Sequence, residues 1–205
     1  MHLYEHQGNI YLNITNRCPT ACSFCIKKEW GWQFHGHDLQ LEKGEPAIGE
    51  LLDGLDERLA KPGLYREIVF CGLGEPTMRM DALNAVGLHL RLHGPGLPIR
   101  LNTVGLGSLF HGRDIVPELA LFLDRVSVSL NTLDAAQWER LHRPSPAVRG
   151  RGFVAACAFI ERCVRAGLAT RVTAIEQPGV DLEAVRAYAA RVGTEFLARP
   201  LLTPA

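Results

Sequence analysis

Short apolar or alternating runs interleave with longer stretches of helical period along the whole chain, and no other feature limits the fold as much. The runs lie at 9–15, 66–72, 99–103, 125–131, 170–176 and 195–201, and the helical patterns fall near 46–61, 80–93, 134–142, 150–166 and 181–192. Strand and helix alternating in this way imply parallel strands joined by crossover helices. A closed eight-unit barrel takes about 250 residues. A chain of 205 residues therefore suits about six units, and the expected fold class is α/β, a partial (β/α)6 barrel of parallel strands, with a doubly wound sheet as the competitor. The stretch GPGLP at 94–98 reads as a turn before a strand, and neither a low-complexity linker nor a fixed-length repeat divides the chain. A single domain over 1–205 is expected.

The strands carry a second message. In the run at 125–131, Val126, Val128 and Leu130 alternate with Ser127, Ser129 and Asn131; Leu12 and Ile14 stand against Tyr11, Asn13 and Thr15, and Leu101 against Arg100 and Asn102. Strands covered by apolar packing on both faces read as near-continuous hydrophobic runs, and these do not. With helices on the apolar face, the polar face must line a cavity, because each buried polar group left unsatisfied costs about 1–3 kcal/mol. An antiparallel sheet with one solvated face is the plainer alternative, and the interleaved helices argue against it.

Composition narrows the class. Hydrophobic residues make up 47% and charged residues 21%, and no apolar run approaches the ~18 residues of a membrane span, so a soluble protein is expected. The N-terminus lacks a basic region followed by an apolar stretch and a small-residue cleavage site, which points to the cytoplasm. Lys plus Arg balance Asp plus Glu at 22 each, so nothing global attracts nucleic acid or an anionic membrane.

Residues 17–25, RCPTACSFC, place Cys18, Cys22 and Cys25 in the loop after the first strand. Clustered thiols in a chain with an ample core favour metal ligation over disulfides. A structural zinc site takes four ligands; His35 or His37 is available as the fourth, but a second Cys-x-x-Cys pair is absent. Cys71, Cys157 and Cys163 lie far along the chain and read as small core residues. A cubane iron–sulfur cluster usually takes four cysteines, so three would leave one iron open, the mark of a catalytic rather than a structural metal site.

The Cys-x-x-x-Cys-x-x-Cys spacing with Phe24 before the last cysteine resembles the signature of radical S-adenosylmethionine (radical SAM) enzymes. The element CGLGEPTM after the second run, with Gly72, Gly74, Glu75 and Pro76, resembles that family's glycine-glycine-glutamate-proline element. IRLNTVG resembles its Asn-Thr-Asn-Gly stretch, Val104 replacing the second Asn, and VSVSLN resembles its ribose- and carboxylate-contacting strand. More narrowly, residues 9 to 145 resemble the small TatD-associated radical SAM proteins.

The resemblance implies a 4Fe-4S cluster held by Cys18, Cys22 and Cys25. Its open iron would chelate S-adenosylmethionine, and one electron would cleave that cofactor to methionine and a 5′-deoxyadenosyl radical that abstracts hydrogen from substrate. It implies cofactor contacts from Phe24, Gly72, Gly74, Glu75, Pro76, Asn102, Ser129 and Asn131, with Glu75 beside the methionine ammonium. It further implies a flavodoxin or ferredoxin type of electron donor and a functional link to a TatD-type hydrolase. A non-enzymatic zinc or iron–sulfur module with a structural or regulatory role is the alternative.

Candidates for substrate contact are weaker. The loop KKEWGWQFHGHD holds Trp30, Trp32, Phe34, His35 and His37 where a lid would start. HGRD supplies His111, Arg113 and Asp114, the last favoured as a helix cap. Arg100, Arg143 and Arg199 suit an anionic substrate, with a structural role the favoured alternative for each alone, and Glu176 suits either a ribose or a salt bridge.

Overall fold

The structure is a computed structural model that describes residues 1–61 and 63–202, the Glu29 side chain excepted. A seven-stranded sheet forms its centre, built from β1 (Leu3–His6), β2 (Asn9–Leu12), β5 (Ile68–Phe70), β6 (Ile99–Thr103), β7 (Arg125–Ser129), β8 (Ala169–Glu176) and β9 (Glu195–Pro200). A separate two-stranded hairpin pairs β3 (Gln33–Phe34) with β4 (His37–Asp38). The larger sheet runs in the order β1-β2-β5-β6-β7-β8-β9, antiparallel at β1–β2 and parallel at every later step.

That order decides between the two expected architectures. A doubly wound sheet reverses strand order at a switch point; here each parallel strand pairs with its successor in the chain, the order of a partial (β/α)6 barrel. With right-handed crossovers, unreversed order puts all helices on one face. The major helices are α2 (Ile48–Leu59), α3 (Met80–His93), α6 (Ala135–His142), α7 (Gly152–Arg165) and α8 (Leu182–Arg191), joined by the short α1 (Ile26–Glu29), α4 (Gly107–His111) and α5 (Val116–Leu119). Helix α7 packs on β7 and β8, and α8 on β8 and β9. Beneath them Leu101, Val126, Val128 and Val172 are fully buried with Leu83, Phe122, Phe159 and Val185 from the helical layer. The opposite strand face carries Asn102, Ser127 and Ser129, all half-buried, as the alternation requires. Among the described residues, no helix is long and apolar enough to cross a membrane.

Strand β1 is an addition to the expected set. It pairs His6 with Asn9 across the two-residue turn Gln7–Gly8, both at positive φ (50° and 74°), the geometry of a tight hairpin. Strand β2 also ends early. Beyond Leu12 the Asn13 side chain leaves the ladder direction and donates to the carbonyls of Leu39 (2.7 Å) and Met1 (3.1 Å), tying down the chain that follows the small hairpin.

Candidate active site

At the C-terminal ends of the parallel strands lies a cavity of about 500 Å³, bordered by Cys18, Cys22 and Cys25, by Gly72–Glu75, and by Asn102, Ser129, Ile175 and Arg199 from β6 to β9. Ligand sites of barrels and open α/β sheets occupy this end of the strands. The polar strand face thus meets the cysteine loop, as expected from the sequence.

Two sets of contacts fix that loop. On one side, the backbone of Thr15–Arg17 lies against the 72–75 turn: Glu75 N–H donates to the Arg17 carbonyl (2.8 Å). A Cβ at Gly74 would sit 2.2 Å from the Thr15 carbonyl oxygen, and one at Gly72 would sit 2.1 Å from Asn13 Oδ1. Both glycines border the cavity, but it is close packing against the approach to Cys18 that demands them. On the other side, the end of α6 holds the loop through its backbone. Ala21 N–H donates to the carbonyls of His142 (3.0 Å) and Arg143 (3.1 Å), Ser23 N–H to Leu141 (2.8 Å), and Ser145 N–H to Pro19 (2.9 Å).

Between these supports Thr20 Oγ1 stands 3.3 Å from both Cys18 Sγ and Cys22 Sγ. His142 Nδ1 approaches Cys22 Sγ at 3.6 Å, while Cys25 begins α1 as its N-cap residue. Burial pushes the Cys18 thiol above its ordinary value and the Cys22 thiol up to about 12, so these side chains do not hold thiolate charge by themselves and need a bound metal to deprotonate them. Among the described residues, no three His, Cys, Asp or Glu side chains converge tightly enough to hold a single ion. A tetrahedral zinc would need its sulfurs about 2.3 Å from one point. A cluster spreads its ligands over separate irons, and three cysteines of one loop, two of them sharing Thr20 Oγ1 as a neighbour, are the donor set that suits it.

Glu75 is a strut between two turns. Its buried carboxylate accepts from Thr77 N–H (3.1 Å), Thr77 Oγ1 (2.7 Å) and Thr103 Oγ1 (2.7 Å) at Oε1, and from Val104 N–H (2.8 Å) at Oε2. Burial pushes its pKa up against the pull of these donors. Only the free lone pair of Oε2 is left for an ammonium. Val104 serves this element through its backbone N–H. Replacing Thr103 by Val leaves the carboxylate and the Gly105 N–H, which donates to Thr103 Oγ1, each one partner short; a loss of about 1.5 kcal/mol in urea unfolding is expected.

The remaining expectations divide by position. Phe24 and Asn102 line the cavity, Phe24 edge-on to His142 at 5.5 Å and Asn102 taking a 2.6 Å bond from Arg100. Ser129 Oγ accepts from Arg199 Nη2 (2.9 Å) and Asn131 Nδ2 (3.1 Å), so its own O–H is free to point into the cavity. Asn131 lies outside the cavity lining. Fully buried at φ +67°, it donates to Ser129 and to His142 Nε2 (3.1 Å) and accepts from Ile175 N–H (3.1 Å), which uses its amide on the protein. Pro76 lies outside the lining as well, a buried residue opening the 3-10 turn Pro76–Met78.

Several substrate candidates are likewise structural. Arg100 donates from Nε and Nη2 to the one oxygen Oε2 of Glu67 (3.0 and 2.9 Å), His111 bonds the Thr77 carbonyl (2.7 Å), and Arg113 pairs with Glu118. Asp114 caps Val116 N–H (3.1 Å) as favoured. Arg143, the left-handed C-cap of α6, and the exposed Glu176 lie outside the cavity lining. His35 stacks on His6 (4.5 Å), His37 bonds the Glu5 carbonyl (3.1 Å), and from the aromatic loop Phe34 and Lys27 reach the cavity. Trp30 stacks on Phe34, and Trp32 lies under Lys27. Arg199 remains. Burial lowers its pKa, its Nε lacks a hydrogen-bond partner, and no carboxylate pairs with it among the described residues.

Of the other cysteines, Cys163 is core, whereas Cys71 borders the cavity after β5, a correction to its expected place. Thr20 and His142 were not expected at the site. Thr20 was visible between two cysteines, but the approach of His142 depends on the fold.

Comparison with known proteins decides the family: the model of the Radical SAM superfamily matches residues 12–191. The chain belongs to the radical SAM superfamily. Radical SAM proteins work with a 4Fe-4S cluster and S-adenosylmethionine. A GTP 3′,8-cyclase of Erythrobacter litoralis (strain HTCC2594) is 27% identical over 175 residues, which are 83% of this chain and 46% of that protein. The chain thus spans less than half the length of this curated relative. Among solved structures, Streptococcus suis SuiB bound to S-adenosylmethionine superposes with a TM-score of 0.63 at 17% identity, covering 94% of this chain and 38% of SuiB. The structure of native anSMEcpe with bound AdoMet gives 0.65 at 14% identity, covering 95% and 51%. These two likenesses are of fold.

Proposed function

We propose that this radical SAM chain is an enzyme that cleaves S-adenosylmethionine reductively and uses the resulting 5′-deoxyadenosyl radical to abstract hydrogen from a substrate. The observation that carries the reading is the meeting of Cys18, Cys22 and Cys25 with the polar ends of β6 and β7 in one cavity of about 500 Å³, a volume within the ~300–1,000 Å³ of small-molecule sites. Cys18, Cys22 and Cys25 would hold the 4Fe-4S cluster, which when bound supplies the electron for cofactor cleavage. Phe24 offers an apolar face for the adenine, the 72–74 backbone and the free lone pair of Glu75 orient the methionine end, and Asn102 and the Ser129 hydroxyl take its polar groups. Arg199, without a carboxylate partner among the described residues, suits an anionic group of the cofactor or substrate. We place the chain among the TatD-associated members, as a single cytoplasmic domain supplied with electrons by a flavodoxin or ferredoxin and linked in function to a TatD-type hydrolase.

The test is anaerobic. Purified protein reconstituted with iron and sulfide, then given dithionite and S-adenosylmethionine, is expected to release methionine and 5′-deoxyadenosine. Colourless protein that keeps stoichiometric zinc and refuses a cluster would overturn the reading in favour of a structural metal module. On the same protein, Ser129→Ala removes the hydroxyl offered to the cofactor and also the acceptor of Arg199 Nη2 and Asn131 Nδ2, and is expected to weaken S-adenosylmethionine binding at least about tenfold, or ~1.4 kcal/mol, measured by equilibrium dialysis.

A further inference from the structure

His142 is buried at the end of α6, with one ring nitrogen toward a cysteine of the proposed cluster and the other toward an amide. Its exposure is 0%, and its ring stacks on Trp138 with centroids 4.3 Å apart and an interplanar angle of 15°. Nδ1 is 3.6 Å from Cys22 Sγ, and Nε2 is 3.1 Å from Asn131 Nδ2. Among the described residues the ring's two side-chain hydrogen-bond partners are Cys22 and Asn131, and they decide where its proton sits.

The orientation of Asn131 places that proton. Its Oδ1 accepts from the Ile175 N–H at 3.1 Å, so the atom facing His142 is the amide nitrogen, a donor. A donor facing Nε2 requires Nε2 to be the unprotonated nitrogen. The proton then sits on Nδ1, aimed at sulfur. The Leu130 carbonyl also reaches the ring and is the rival acceptor. The cysteine has little freedom to move away from the ring, because Ala21 and Ser23, on either side of Cys22, are bonded to the carbonyls of Leu141, His142 and Arg143.

We propose that His142 is a positioning residue that donates its Nδ1–H to the sulfur of Cys22, with Asn131 fixing the tautomer, and that this bond raises the reduction potential of the cluster held there. A hydrogen bond to a ligating sulfur draws electron density from the metal and is one of the protein's levers on cluster potential. The inference rests on the proposed cluster site and goes beyond it by assigning a task to a residue outside the cysteine motif.

Two measurements test it. In metal-free protein, 15N-edited NMR of the His142 ring is expected to show Nδ1 protonated and Nε2 bare; a proton on Nε2, or one given to the Leu130 carbonyl, overturns the assignment. In the anaerobically loaded protein, His142→Phe keeps a ring against Trp138 but has no donor. At fixed applied potential its ratio of reduced to oxidised cluster, read by electron paramagnetic resonance, is expected to fall about tenfold, equivalent to ~59 mV for one electron. His142→Asn, whose amide nitrogen can take the place of Nδ1, is expected to recover most of that loss. Equal potentials in wild type and His142→Phe overturn the tuning role alone, whereas wild-type protein that takes up no cluster overturns the proposed function as well.

Discussion

Replacing any one of Cys18, Cys22 or Cys25 by Ala is expected to abolish the iron–sulfur absorption of anaerobically reconstituted protein and reduce S-adenosylmethionine cleavage to background. Three thiols border one cavity at the strand ends, and each would hold a different iron, so none can stand in for another. Cys71 borders the same cavity but follows β5 rather than belonging to the cysteine loop, and Cys71→Ala is expected to keep the absorption. Cys163, buried in the apolar core, is a further control. A Cys22→Ala protein that assembled a full cluster and cleaved the cofactor normally would remove the basis of the proposed function.

Gly74→Ala is expected to cost about 3 kcal/mol of stability and to impair cluster uptake at the same time. The added Cβ would meet the Thr15 carbonyl oxygen at 2.2 Å, the Arg17 carbonyl oxygen at 2.8 Å and the Asn16 carbonyl carbon at 2.9 Å. All three are backbone atoms, so relief requires the 72–75 turn and the approach to Cys18 to move apart, and the Glu75 N–H bond to Arg17 is lost in the process. A glycine with room around it should behave oppositely. Nothing lies within 4 Å of a Cβ at Gly49 in α2, and Gly49→Ala is expected to stabilise the protein by about 0.5–1 kcal/mol. Thermal and urea unfolding of the two variants, with iron content after reconstitution, would check both signs; a Gly74→Ala protein as stable as wild type would mean that this contact is not needed.

The sequence is legible where the signal is local. Alternation in IRLNT and RVSVS reports which side of β6 and β7 faces the helices, and a cysteine triplet within eight residues reports its own proximity. Strand β1 escaped because four residues leave little periodicity and because Gln–Gly is a weaker hairpin signal than Asn–Gly. Asn131 shows how a sound rule fails at its boundary. Period two puts it on the same face as Ser129, but β7 ends at Ser129 and Asn131 has a φ of +67°, where strand alternation no longer applies. Gly72 and Gly74 stood out as glycines for a reason that was not visible, since their neighbours Asn13 and Thr15 lie some sixty residues earlier. Arg100 stood open between an anion site and a structural role, the latter favoured, only while Glu67, on the neighbouring segment, was out of view. His142 near the end of a helix has an ordinary local explanation in the helix dipole, and nothing nearby in the chain points to Cys22.

The clamp on the cysteine loop has a consequence for how the protein is made. Cys22 and His142 are 120 residues apart, and ribosomes add roughly 5–20 residues per second. A newborn chain therefore displays its three thiols for roughly 6–24 s before the α6 segment that will hold them has been translated. Iron delivered during that interval would meet a tethered but unshaped loop, so productive loading belongs after residue 145 has emerged, and oxidants in the same interval would find the sulfurs unshielded.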